Sequence, residues 1–123
     1  MDYKYSFEKL EIWQIARKLT SEIYKITRDF PEDEKYGIVN QLRRACISIC
    51  SNIAEGNSRT SNKEKTYFFQ IAYSSSMEVL NQIIISNDLN YLGEPDLKKL
   101  REIIEKLSNK INALHKNIKS RAL

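Results

Sequence analysis

The stretch Gln41–Arg59, QLRRACISICSNIAEGNSR, decides the fold, because as a helix it has almost no conventional solvent face. Ile38, Leu42, Ala45, Ile49 and Ile53 recur at the three- and four-residue spacing of a buried stripe. Ile47, Cys50 and Ala54 gather on a roughly opposite side. A narrow polar ridge of Arg44, Ser48, Ser51 and Glu55, with Asn52 at its edge, runs between the two. A helix apolar on two sides has more to bury than a simple monomeric bundle can cover, so Ile47, Cys50 and Ala54 are read as an oligomer interface.

Upstream, Phe30-Pro31 ends a preceding helix, since proline disfavours helical geometry in the residue before it. Glu32, Asp33 and Glu34 follow, and acidic side chains favour a new helix start through the backbone dipole. A second helix is expected over 33–55, with Gly56-Asn57 supplying a left-handed stop. A first helix is expected over 7–29, with Ser6 as a partial cap because Lys9 stands where a capping-box Glu would. Its stripe of Ile12, Ala16, Leu19, Ile23, Ile26 and Phe30, widened by Leu10, Trp13 and Tyr24, faces a core. Trp13 therefore reads as packing, not as a base-stacking residue.

Downstream, Ser61 to Glu64, SNKE, has the form of a capping box and starts a helix expected over 62–89. Its middle, with Ser74, Ser75 and Ser76, suits close approach of another helix or hydrogen bonding. Gly93 and Pro95 lead into a last helix over 95–121, where Leu97, Leu100, Ile104, Leu107, Ile111, Leu114 and Ile118 form a strict heptad. Such a seam fits a free coiled coil, but beside three other apolar helices it is read as closing a bundle. Short connections favour an antiparallel up-down-up-down four-helix bundle, all-α, with residues 1–123 as a single domain.

The net charge is +4, from 20 Lys and Arg against 16 Asp and Glu. Residues 95–123 hold eight of the basic side chains and three of the acids, so the excess sits on the last helix. A lysine-rich outer face serves solvation or an anionic partner. If the partner is nucleic acid, Lys98, Lys99, Arg101, Lys106 and Lys110 of that helix and Arg59, Lys63 and Lys65 of the turn before the third are the candidate contacts.

Other classes find little support. Cys46 and Cys50 lie one helical turn apart, about 5 to 6 Å between Cβ atoms, beyond the roughly 3.5 to 4.5 Å of a disulfide. They are read as packed thiols. The one histidine, His115, is far from them in sequence, so no metal or cofactor is expected. The serines of the third helix have no nearby histidine to act as base, and no nucleophile set or phosphate loop is present, so no enzyme is expected. No apolar run approaches the roughly 18 residues of a membrane span, and MDYKYSFEKL has no secretory apolar core. A cytoplasmic location is expected.

Three segments, SFEKLEIWQIARKL, IYKITRDFPEDEKYGIVNQLRRACISICSNIAEGNSR and FFQIAYSSSMEV, together resemble the four-helix bundle protein family, also called the 23S rRNA-intervening sequence protein family. The likeness covers about residues 6–92, and the last helix by general character. The specific part runs from an aromatic-Pro-x-x-Glu turn through QLRRA and SIxSNIAEG to a following Arg. It falls on Glu34, Gln41, Arg43, Arg44, Ala45, Ser48, Asn52, Ile53, Ala54, Glu55, Gly56 and Arg59, with Glu78 in the third helix. Cys50 stands where many members have proline, so a weaker kink in the second helix is expected, and Ser74 where glycine is common, so a looser closest helix contact is expected.

The resemblance implies an up-down bundle assembled into a ring-like homopentamer. It also implies kinship with the pentameric accessory protein of diversity-generating retroelements, which binds nucleic acid and a reverse transcriptase; neither relative is known as an enzyme. The ridge has two readings. Arg44 and Arg59 could contact phosphate with Asn52 on a base or sugar; or Arg44 with Glu55 or Glu78, and Asn52 with a helix-end carbonyl, form a structural network. For the whole protein, a homo-oligomer that binds structured RNA, or DNA, stands beside a scaffold that docks another protein.

Overall fold

The computed structural model describes residues 3–121; the two residues at each end, over which the single-domain reading also extends, lie outside them. Four helices make up the fold: α1 Glu11–Thr27, α2 Ile38–Ser58, α3 Asn62–Asp88 and α4 Glu94–Arg121, with no strand among the described residues. Each packs on two neighbours: α1 on α2 and α4, and α3 on α2 and α4. Their apolar stripes meet in one buried cluster that includes Leu19, Leu42, Ile49, Ile53, Phe69, Ile83, Leu100 and Ile111. Of the α4 heptad, all but the half-buried Leu114 are buried, so the seam closes the bundle and is not a free coiled coil. No helix among the described residues is long and apolar enough to cross a membrane.

The helix starts differ from the sequence expectation in two places. The first helix does not run from Phe7: Ser6–Lys9 form a 3-10 turn, the chain straightens at Leu10, and α1 begins at Glu11. Tyr5 precedes the turn, its N–H donating to Glu8 Oε1 at 3.0 Å. Ser6 caps nothing; its hydroxyl accepts from Asn57 Nδ2 at 3.1 Å and ties this turn to the end of α2. Phe7 meets the Trp13 ring edge-on at 5.1 Å, which confirms Trp13 as a packing residue. The second difference follows Pro31. Glu32–Glu34 make only a 3-10 turn, and α2 starts at Ile38, because Gly37 with ψ −118° departs from helical geometry. Glu34 then serves the connections: its Oε2 accepts from Tyr91 Oη at 2.9 Å, joining the α1–α2 turn to the α3–α4 turn.

The left-handed stop expected at Gly56-Asn57 is absent. Gly56 is helical and buried, and α2 runs on to Ser58. The glycine serves closeness, not turning, since Phe68 and Phe69 of α3 lie against it. The left-handed residue is Asn90, at φ 63°. Asn90 N–H donates to Asn87 O at 3.0 Å and Tyr91 N–H to Ser86 O at 2.9 Å, the paired bonds of a Schellman stop that ends α3. Asparagine tolerates this conformation better than most residues. At the other end of α3, Ser61 Oγ accepts from Glu64 N–H at 3.1 Å, so the predicted cap forms.

Candidate nucleic-acid interface

The α2 ridge divides on folding. Ser48 and Asn52 turn to structure: Asn52 Nδ2 donates to Ser48 O at 2.8 Å and to Ser48 Oγ at 3.1 Å. Ser48 Oγ in turn lies 3.0 Å from Ser75 Oγ on α3. Ser75 and Ser76 are buried, while Ser74 is exposed, so the close contact falls one residue beyond the expected glycine-like position. Asn52 thus reaches a mid-helix carbonyl, not a helix end. Arg43 also turns inward, with Nε on Thr27 Oγ1 at 3.0 Å, Nη2 on Tyr24 O at 3.3 Å, and its guanidinium 4.5 Å over the Tyr24 ring. These bonds clamp the end of α1 to α2.

The expected pairing of Arg44 with Glu55 or Glu78 does not form. Arg44 and Glu55 stand three turns apart, about 16 Å along a helix, and Glu55 pairs with Arg59 at 3.6 Å. Glu78 Oε1 accepts instead from Gln82 Nε2 at 3.4 Å. Arg44 is exposed and lines two open grooves. One holds Asn40, Gln41, Ala45, Ser48 and Glu78; the other holds Tyr24, Asn40, Arg43, Ile47 and Ser48.

The proposed interface residues separate too. Ile47 points outward, 47% exposed, and Ala54 is half-buried. Cys50 does not share that outward face: its Sγ lies 3.5 Å from Thr20 Oγ1 on α1. The reason is that α2 packs on both α1 and α3, so its inward arc is wide and takes in Cys50 with Cys46. Neither cysteine is in a disulfide. Burial pushes the Cys46 thiol up to about 12 and raises that of Cys50, so both are poor nucleophiles.

The basic residues do not form one patch. Lys98, Lys99 and Arg101 begin α4, whereas Arg59, Lys63 and Lys65 lie near its other end, where Lys63 shares a groove with Lys119. Lys98 and Lys119 stand about 30 Å apart along the helix. Lys65 Nζ is held by Asn57 O at 3.1 Å. Arg59 pairs with Glu55 and Glu64 and lies 4.8 Å over the Phe68 ring. Arg101 faces a cleft toward α3 with Leu80, Ile104, Glu105 and Ser108. Lys63, Lys98, Arg101 and Lys106 have no ion pair among the described residues.

A better-gathered surface lies between α1 and α4. Lys99 Nζ bonds Glu22 at 3.0 Å and Lys110 Nζ bonds Glu11 at 2.8 Å. Beside it, on the outer face of α1, a groove of about 400 Å³ is lined by Tyr3, Gln14, Arg17, Lys18, Ser21, Glu22 and Lys25, with no residue of α4. Lys106 acts on Glu11 as well. Lys110 and Lys106 thus act on Glu11, and Lys99, Lys25 and Lys18 on Glu22, while Arg17 lies 5.3 Å over the Trp13 ring. Both carboxyls are held below their ordinary range, Glu11 chiefly by its hydrogen bond from Lys110 and Glu22 chiefly by that from Lys99. Arg17, Lys18 and Lys25 escaped the sequence reading because they balance acids elsewhere in the chain. Their spacing did carry a signal, since Arg17, Ser21 and Lys25 step by four along the face opposite the core stripe.

Residues 8–113 match a family described as 23S rRNA-intervening sequence protein. No curated protein matches the chain. Among solved structures, a protein of unknown function from the S23 ribosomal protein family of Bacteroides thetaiotaomicron superposes with a TM-score of 0.79 at 14% identity. The match covers 85% of this chain and 95% of that one, a likeness of fold.

Proposed function

The chain belongs to the 23S rRNA-intervening sequence protein family, and on that premise we propose that it is a non-enzymatic, homo-oligomeric bundle that binds structured RNA in the cytoplasm through the basic surface where the outer face of α1 adjoins α4. The observation that carries this reading is that Lys106 and Lys110 gather about Glu11 and Lys18, Lys25 and Lys99 about Glu22, where α1 meets α4. Ammonium groups spaced along a surface suit a phosphate backbone, and a helical RNA is met mostly by shape and backbone contact. In a symmetric ring this surface recurs once per subunit and the field strengthens.

The helices are read as running alternately up and down. Lys99 meets Glu22 while Lys110 meets Glu11, so one helix advances as the other retreats. Gln82 with Gln41 and Ser75 with Ser48 give the same sense for α2 and α3. The ring-like homopentamer is assigned to the outer face of α2, where exposed Ile47 stands beside two grooves that share Asn40, Arg44 and Ser48. That face also favours a second reading, a ring that docks another protein.

The test is binding of a labelled RNA hairpin by wild type and by a Lys18→Glu, Lys106→Glu double variant. Loss of binding with the oligomer intact supports the RNA reading. Unchanged binding rejects this surface, and no wild-type binding turns the assignment to protein docking.

A further inference from the structure

At the opposite end of α4 from Lys98, a second groove has different chemistry. Lys63, Thr66, Tyr67, Gln70 and Ile71 fall at three- and four-residue steps on one face of α3. They lie against His115 and Lys119, one turn apart on α4, and enclose about 320 Å³. Tyr67 is 62% exposed, a large cost in unburied aromatic surface at a site with an apolar floor beside it in half-buried Ile71. Its position is held from behind: Phe68 meets it edge-on with centroids 5.2 Å apart, and Arg59 lies over Phe68. Among the described residues, Lys63 and Lys119 have no ion pair, and no acidic side chain lines the groove.

We infer that this groove takes one unpaired RNA nucleotide, its base stacked on the Tyr67 ring and its flanking phosphates on Lys63 and Lys119. The inference rests on the RNA-binding reading and extends it from the paired stem to a loop or bulge. A lone exposed tyrosine needs no explanation. Here, however, a ring braced by Phe68 lines one groove with two ammonium groups and an apolar floor, the combination by which proteins hold splayed-out bases. An acidic peptide would satisfy the lysines but leave the ring and the Ile71 floor without a flat apolar partner.

The experiment uses the full chain and an RNA hairpin with 5-iodouridine in its loop, compared with a blunt duplex of the same stem. Irradiation of the wild-type complex is expected to cross-link the loop to Tyr67, read by mass spectrometry. Tyr67→Leu is expected to weaken hairpin binding on the order of tenfold and leave duplex binding unchanged, while Tyr67→Phe keeps wild-type affinity. Cross-links confined to other segments, or equal hairpin affinity in Tyr67→Leu, would overturn the groove while stem binding through α1 and α4 stands. Displacement of the hairpin by poly-glutamate as readily as by unlabelled RNA would also overturn it. Absence of any RNA binding by the wild type would remove both readings.

Discussion

Gly56 of α2 and Phe68 of α3 are so close that a Cβ on the glycine would lie 3.0 Å from the Phe68 Cβ. It would also meet the Phe69 ring at 3.1 Å. Two effects oppose one another in Gly56→Ala. Alanine gains about 1 kcal/mol in a helix interior, while overpacking costs about 1 to 3 kcal/mol. The Phe68 contact is to a Cβ next to the backbone, so it yields little and overpacking wins. Gly56→Ala should lower stability by about 1 kcal/mol, and Gly56→Val by clearly more, in urea unfolding. Equal or higher stability in the alanine variant would show that the two helices separate easily.

Arg43 and Arg44 are neighbours with opposite roles. Arg43→Ala removes two hydrogen bonds and the stack on Tyr24, and leaves the hydroxyl of buried Thr27 with fewer partners. A loss of about 2 kcal/mol is expected. Arg44→Ala, at an exposed site without an ion pair among the described residues, should change stability by less than about 0.5 kcal/mol. Thermal melts of the two variants side by side check the contrast.

That division shows what the sequence can reveal and where it stops. Helical periodicity identified all four helices, and the α4 heptad from Leu97 to Ile118 closed the core as expected. A turn signal was less reliable: Gly56 reads as a stop from sequence, yet its lack of a side chain is used for contact with Phe68, 12 residues away. Only the packed fold distinguishes these two uses of glycine. The same limit applied to the site. Lys99 and Lys110 are charges on one helix until α1 brings Glu22 and Glu11 to them. Lys18 and Lys25 gain meaning only from that juxtaposition, and Cys50 looked outward because a helical wheel cannot show that α1 covers it.

Neutralising Glu22 should strengthen RNA binding. Glu22→Gln removes a carboxylate from the basic surface where α1 meets α4 and releases Lys99 for phosphate. Affinity should rise several-fold, and the dependence of log K on log salt should steepen by about one unit. Acid has a related effect on stability. The native carboxyls of Glu11 and Glu22 lie below the ordinary 4.5. Their contribution is therefore complete above that value and is lost as pH falls through the native values. A Glu11→Gln, Glu22→Gln double variant should show less loss of stability than wild type in melts taken below about pH 4.5. An equal loss would place the acid sensitivity elsewhere.

Ile47 tests the assembly. Ile47→Arg puts a charge on the outer face of α2 at a residue outside the buried cluster. Sedimentation should show an oligomer for wild type and a single 14.4 kDa chain for the variant, with helical circular dichroism retained. A wild-type mass of one chain at micromolar concentration would remove the ring, and an unchanged oligomer in the variant would move the interface away from Ile47.

The most direct test of RNA binding through the basic α1–α4 surface is fluorescence anisotropy of a labelled RNA hairpin, titrated across a series of salt concentrations. It compares wild type with Lys18→Glu, Lys106→Glu. Wild type is expected to bind tightly, with affinity falling steeply and linearly in log salt, and the variant to show both a lower affinity and a shallower slope. Wild-type affinity and slope in the variant, or no binding by wild type even at low salt, would contradict binding through this surface.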